Sequence, residues 1–399
     1  MDIIAEKIVF GGNSLGKNEG KKVFIPYAIP GEKLEVSIEK SFRDYDIAKI
    51  QKILVPSEKR VEPQCKYYKQ CGGCNLLHID SEYQVVLRKQ ILQDLFEQQG
   101  IDLSDKLQVI DGPSSHYRCR FQLNNGGLSE RNSNIIIPVD SCYCAENKIN
   151  DYLQTNPADI RPSGRVHLFG SAFSQEQNTK TSIEEKKQKD DFIKKKGKKQ
   201  KVKKNVHFAG SFISPENSVT VTLNNKDITF DVRGFFQSNL FVFEKVLNLI
   251  CENLEEGNNI LDMYAGCGSI STFLTDKYKN VVLVEHNRDA LVYAEQNLCG
   301  KKHTSFGLSG ASWVKNCAES CGTFDACVID PPRSGMENEV CNYLCKSGIK
   351  KIISMSCDPS THARDCNKLI NAGYIMKKMY LLDFYPNTSH IESLAVFTK

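Results

Sequence analysis

The sequence predicts a multidomain protein: a small OB-like β-barrel, a mixed α+β central domain and a C-terminal doubly wound (Rossmann-like) α/β domain. Three observations point there. Residues 1–57 alternate apolar and polar positions in short runs split by turn signals at Gly11-Gly12, Asn18-Glu19-Gly20 and Pro30-Gly31-Glu32. Residues 60–75 hold a tight cysteine cluster. From residue 233 onward strand and helix patterns alternate, which predicts a parallel sheet wound on both faces.

The chain has 399 residues, too many for one core. Its 40% apolar and 25% charged content is ordinary globular composition. No apolar run reaches the length of a membrane span, and the start MDIIAEKIVF lacks the features of a signal peptide, so a cytoplasmic protein is expected. Sixteen cysteines in such a chain favour free thiols, metal ligation or catalysis over bridges. Cys251, Cys299, Cys327, Cys341 and Cys345 read as inert apolar side chains. The net charge of +4 is uneven. Lys180–Lys204 carries twelve lysines against four acids, a local +8, which leaves the remainder at −4. A nucleic-acid surface must therefore be a local patch.

The barrel offers Lys17, Lys21, Lys22 and Arg43 as RNA contacts; a purely structural barrel is the alternative. The central domain spans 58–232. It opens with Cys65, Cys71 and Cys74, which read as zinc ligands, iron–sulfur ligands or free thiols. Cys142 in VDSCYC is the best fourth ligand and Cys144 its rival. A helix over 81–99 is expected to pack on the C-terminal domain. The lysine-rich stretch at about 176–205 cannot bury a face and predicts a disordered or loosely helical insertion, with a phosphate-binding arm as the functional alternative.

The domain 233–399 carries the chemistry. Strand NNILDMY runs into Ala265-Gly266-Cys267-Gly268-Ser269, a glycine turn that lets backbone approach a nucleotide. Glu285 ends the next strand, where an acid accepts from ribose hydroxyls. There is no full GxGxxG and no GK[ST], so S-adenosylmethionine fits better than NAD or ATP. Asp330-Pro331-Pro332-Arg333 ends a later strand, and its arginine replaces the aromatic expected for methylation of exocyclic amines. Cys357 ends the strand after that, with a helix start and Arg364 expected to lower its pKa. A thiolate adding to C6 of uracil makes C5 nucleophilic, and the C5 proton then needs a base. Glu392 is the candidate base and His390 its rival.

Together these residues resemble the RNA 5-methyluridine (uracil-C5) methyltransferase family, over nearly the whole chain. Residues 1–57, notably VFIPYAIPGE, resemble a TRAM domain. Tyr117-Arg118-Cys119-Arg120 is similar to the family's YRNR, with Cys119 in place of asparagine. Phe236-Gln237-Ser238-Asn239, LDMYAGCGS, DPPRSG, SCDPSTHARD and DFYPNTSHIES follow in the family's order, with Ala265 and Cys267 as variants in the cofactor loop. The resemblance implies a class I methyltransferase domain with Cys357 as nucleophile and Glu392 as base. It implies cofactor contacts from Gln237, Tyr264, Ser269, Glu285 and Asp330, and another near residues 307–310. It implies a [4Fe-4S] cluster on Cys65, Cys71, Cys74 and Cys142, in a structural role. The expected substrate is 23S rRNA, with transfer RNA as the alternative; an inactive RNA-binding protein is the reading from another class. A monomer is expected.

Overall fold

The computed structural model describes residues 1–174, 206–208 and 217–399. The lysine-rich insertion expected at about 176–205 lies outside them. Six N-terminal strands form one sheet: β1 (Asp2–Ile4), β2 (Lys7–Ile8), β3 (Asn13–Asn18), β4 (Lys21–Pro26), β5 (Lys33–Ser41) and β6 (Tyr45–Val55), in the order β1-β5-β6-β4-β3-β2. Alternate residues such as Val23, Ile25, Leu34 and Val36 fill its interior. Gly16 lets β1 fold over β3: a Cβ there would stand 2.5 Å from Ile3 Cγ2 and 2.8 Å from the Ile4 carbonyl. Two of the four cations expected to bind RNA are already paired. Lys17 reaches Glu6 at 3.3 Å and Lys21 reaches Asp46 at 2.6 Å.

Helix α1 (Ser81–Glu97) begins where Asp80 accepts the Tyr83 N–H at 3.0 Å. Its apolar stripe of Leu87, Ile91, Leu92 and Phe96 shares a core with Ala363, Leu369, Met379 and Leu381 near the C-terminus. Arg88 on the same helix is buried and pairs with buried Asp383 at 2.8 Å. Removing one partner would strand a charge in the core, at about 3–5 kcal/mol.

Strand β7 (Leu107–Ile110) follows. The central fold comprises β8 (Arg120–Asn124), β9 (Leu128–Ser129), β10 (Ile136–Ile137), α2 (Asn147–Thr155), β11 (Arg165–Phe169) and β12 (Val206–Phe208). β12, β11 and β8 make one sheet, and α2 covers its core with Ile149 and Leu153. The hairpin β13 (Ser218–Leu223) and β14 (Lys226–Asp231) comes next.

The C-terminal fold runs α3 (Leu240–Glu252), β15 (Gly257–Met263), α4 (Ser271–Leu274), β16 (Tyr278–Val284), α5 (Arg288–Asn297), β17 (His303–Phe306), α6 (Gly310–Asn316), β18 (Ala326–Ile329), α7 (Asn338–Ser347), β19 (Lys351–Ser356), α8 (Pro359–Asn371), β20 (Ile375–Leu382) and β21 (Glu392–Thr398). Its sheet has the order β17-β16-β15-β18-β19-β21-β20-β7. β15 to β19 are mutually parallel, but β21 runs antiparallel to both neighbours, so the sheet is mixed rather than wholly parallel. The boundary expected at 233 falls inside one structure. β7 pairs with β20, and β13–β14 bury Val221, Ile228 and Phe230 among Phe243, Val246 and Ile260. Short strands take their place from distant partners, which local sequence does not reveal. Strand order reverses between β16 and β18 on either side of β15, the switch point where such sheets open a ligand crevice. Among the described residues no helix is long and apolar enough to cross a membrane.

Candidate functional site

Every strand of the crevice presents a polar residue at its end. Ser356 of β19 pairs with Ser393 of β21. One step outward in the same register, Cys357 stands opposite Glu392. Opposed residues on antiparallel strands share a face, with Cβ atoms roughly 5 Å apart. Asp330 stands at the end of β18, and its N–H donates to the Met263 carbonyl at 3.3 Å. Glu392 is buried and Cys357 half-buried, whereas His390 is exposed, with its ring 5.6 Å from that of Tyr385. The two candidate bases are thus separated: Glu392 faces the thiol from inside, and His390 stands at the mouth.

The electrostatics correct one expectation. Burial pushes the Cys357 thiol up to about 11, the Glu392 and Asp330 carboxylates push the same way, and Arg333 opposes them. α8 does begin just beyond the thiol, but Asp358 caps it, accepting from the amides of Ser360 (3.0 Å) and Thr361 (2.9 Å). That carboxylate offsets the positive helix end. Arg364 is engaged with Asp365 at 2.8 Å and with the Ser334 carbonyl at 3.1 Å. The cation that acts on the thiol is Arg333. Glu392 is raised to about 8 by burial and then by Asp330, again against Arg333. Asp330 is itself raised to about 7 by burial and by Asp262.

Gln237, Tyr264, Ser269 and Asp330 line one cavity beside the thiol's strand. Among the described residues the buried Gln237 Oε1 has no hydrogen-bond partner, so the cavity holds an acceptor for a ligand donor. The turn is tightly formed: Tyr264 (φ 66), Gly266 (φ 58) and Gly268 (φ 72) all adopt left-handed conformations. Glu285 is not among the residues lining the cavity; it accepts the Gly266 N–H at 2.9 Å and the Asn287 N–H at 2.6 Å. The residues expected to give one more contact near 307–310 are Gly307, Leu308, Ser309 and Gly310, which present no carboxylate or amide. A carboxylate reaches that place from Glu337, the residue before α7, which accepts the Ala311 N–H at 3.1 Å; sequence reasoning missed it because the two segments are distant in the chain.

Residues 117–120 clamp the site from the central domain. Tyr117 donates to the Pro386 carbonyl at 2.8 Å, and Cys119 Sγ lies 3.2 Å from the Ser238 carbonyl. Arg120 donates to the carbonyls of Phe236 (2.7 Å), Val232 (3.0 Å) and Gly234. The loops bearing Gln237 and leading to Glu392 are thus tied to the short segment 117–120. Behind this clamp Cys65, Cys71, Cys74, Cys142 and Cys144 line a cavity of about 310 Å³. Cys74 and Cys144 sulfurs are 3.5 Å apart, and Asn387 Nδ2 points to Cys144 at 3.7 Å. Burial raises the Cys65 and Cys71 thiols, with Cys142 adding to both. Among the described residues no three side chains converge as on a single ion; the sulfurs instead surround a space. An all-thiol donor set of this kind fits a cluster.

Comparison with known proteins gives a consistent result. The family model described as tRNA (Uracil-5-)-methyltransferase matches residues 317–399, and one described as a methyltransferase small domain matches 242–348. An uncharacterized RNA methyltransferase of Treponema denticola is 36% identical, covering 99% of this chain and 98% of the relative. The 23S rRNA (uracil(1939)-C(5))-methyltransferase RlmD of Haemophilus parainfluenzae is 27% identical, covering 100% and 96%. The crystal structure of Pyrococcus abyssi tRNA (uracil-54, C5)-methyltransferase with S-adenosyl-L-homocysteine superposes with a TM-score of 0.70 at 20% identity, covering 100% and 99%, a likeness of fold.

The charge analysis is testable without substrate. Alkylation of Cys357 by iodoacetamide, read by peptide mass spectrometry, should be slow at pH 8 and rise toward pH 11, because only the thiolate reacts. Arg333→Met should slow it further at pH 8. Rapid alkylation at pH 7 would contradict the raised thiol.

Proposed function

Because the chain belongs to the S-adenosylmethionine-dependent RNA uracil-C5 methyltransferase family, we propose that it methylates C5 of a uridine in 23S rRNA, with Cys357 as nucleophile and Glu392 as base. What supports the mechanism is the β19–β21 register, which ends at Ser356 opposite Ser393 and, continued one residue, sets Cys357 against Glu392, whose charge acts on the thiol. When bound, S-adenosylmethionine supplies an electrophilic methyl and leaves as the neutral sulfide. Gln237, Tyr264, Ser269 and Asp330 line its cavity, and Glu285 braces the glycine turn.

The target ring leaves its stack to reach the crevice. The Cys357 thiolate adds to C6, the C5–C6 double bond opens, and the charge spreads onto O4 as an enolate. C5 then forms its bond to the methyl group. Glu392 takes the C5 proton, the electron pair re-forms the C5–C6 bond, and Cys357 departs as thiolate. A buried carboxyl near pH 8 suits this role, since it is basic enough to accept a carbon-bound proton and is ionised in a useful fraction near neutrality.

The rRNA assignment draws on full-length relatives of that name, the RlmD proteins of Haemophilus parainfluenzae and Aliivibrio fischeri. Transfer RNA is the second reading, favoured by the description of the family model over 317–399. The N-terminal sheet, read as a TRAM-like domain, is assigned RNA binding. Its support is the exposed Phe42 ring stacked on Tyr45 at 4.7 Å, beside Lys22 and Arg43. Residues 58–232 are assigned a [4Fe-4S] cluster held by Cys65, Cys71, Cys74 and Cys142, bracing the Tyr117–Arg120 clamp. Methyl transfer needs no redox step, so that role is structural.

Mapping 5-methyluridine in rRNA and tRNA from a strain lacking the gene tests the substrate. Loss at a 23S rRNA uridine is expected; loss in tRNA alone would move the assignment, and no loss would refute it. For the cluster, anaerobic purification should give brown protein containing iron. Stoichiometric zinc without iron would overturn that assignment.

A further inference from the structure

Tyr264 is the first residue beyond β15 and holds a left-handed conformation, φ 66. A tyrosine persists there only where its surroundings fix it. Tyr264 is among the residues lining the cavity, and its hydroxyl is engaged by Glu337. The hydroxyl accepts the Glu337 N–H at 3.2 Å and lies 3.4 Å from Glu337 Oε2. That same oxygen accepts the Ala311 N–H at 3.1 Å. Glu337 is the N-cap residue of α7, yet its side chain makes no capping bond to that helix. The carboxylate is instead turned toward Tyr264 and the start of α6. Gly310 leaves room for it: a Cβ there would stand 2.5 Å from Glu337 Oε2. One carboxylate thus joins three loops: those after β15, after β17 and after β18.

We infer that Glu337 is a positioning residue for the cofactor, acting through the Tyr264 hydroxyl to hold the strained turn that shapes the S-adenosylmethionine cavity. The inference concerns cofactor binding and depends on neither the target RNA nor the catalytic pair. The Glu337 N–H bond to Tyr264 survives loss of the Glu337 side chain, so Tyr264→Phe releases the whole link and Glu337→Ala only its carboxylate part; removing both adds nothing to Tyr264→Phe.

Calorimetric titration of the full chain with S-adenosylmethionine tests this. Tyr264→Phe should weaken affinity about tenfold and Glu337→Ala by a smaller factor, and the double variant should be no weaker than Tyr264→Phe. Glu337→Gln, which keeps an acceptor oxygen, should recover most of the loss. In turnover assays the Glu337 variants should raise the KM for S-adenosylmethionine and leave kcat at saturation within about twofold. The inference is overturned if Tyr264→Phe, or a folded Glu337→Ala, binds as the parent does. It is equally overturned if the two losses multiply in the double variant. Should Glu337→Ala fail to fold, Tyr264→Phe and Glu337→Gln decide alone, since both keep the volume of the parent side chain.

Discussion

The antiparallel pairing of β19 with β21 is the constraint on which the site depends. β21 enters the sheet against the direction of β15 to β19 and so begins at the edge where β19 ends. That reversal sets a residue from the last motif opposite a residue 35 positions earlier in sequence. A one-residue slip would turn Glu392 to the other face and leave Cys357 without its partner. The register is held from both sides. Ser393 Oγ is hydrogen-bonded with His362 Nδ1 at 2.7 Å, and the loop before β21 is tied down by Tyr117, Gln84 and Asn75. The buried Arg88–Asp383 pair anchors the start of the same loop to α1. Residues far apart in sequence thus converge on the position of one carboxylate.

The charge around the thiol is dominated by acids. Asp262, Asp330 and Glu392 are all raised by burial, and the negative charges raise one another or Cys357 further. Arg333 is the cation that opposes this for both Cys357 and Glu392. A site so arranged favours the neutral forms of its acids. Asp330 lines the cavity at the glycine turn, so a positive charge there would favour the ionised form of these acids, Glu392 included.

Much of this was legible in the sequence where the signal was local. Cys357, Asp330, Glu285 and the glycine turn each end a strand within a short recognisable run, and α1 showed its apolar stripe. What lay between elements was hidden. β7 and the β13–β14 hairpin are short and take their places from partners far along the chain, so the expected boundary at 233 cut through a shared core. The thiol's environment was misread for a similar reason. A helix start and Arg364 are visible in sequence, but burial, the Asp358 cap and the Arg364–Asp365 contact are not. Glu337 escaped notice because its carboxylate serves a loop that is not its neighbour in sequence.

The central claim is that Cys357 bonds to the uridine and Glu392 releases it. The most direct measurement is to incubate the Glu392→Gln protein with target RNA and S-adenosylmethionine, then locate any covalent adduct by peptide mass spectrometry. The account predicts a denaturation-stable adduct on Cys357 carrying a methylated nucleotide, and none in Cys357→Ala. An adduct that survives in Cys357→Ala, or full turnover by Glu392→Gln, would contradict it.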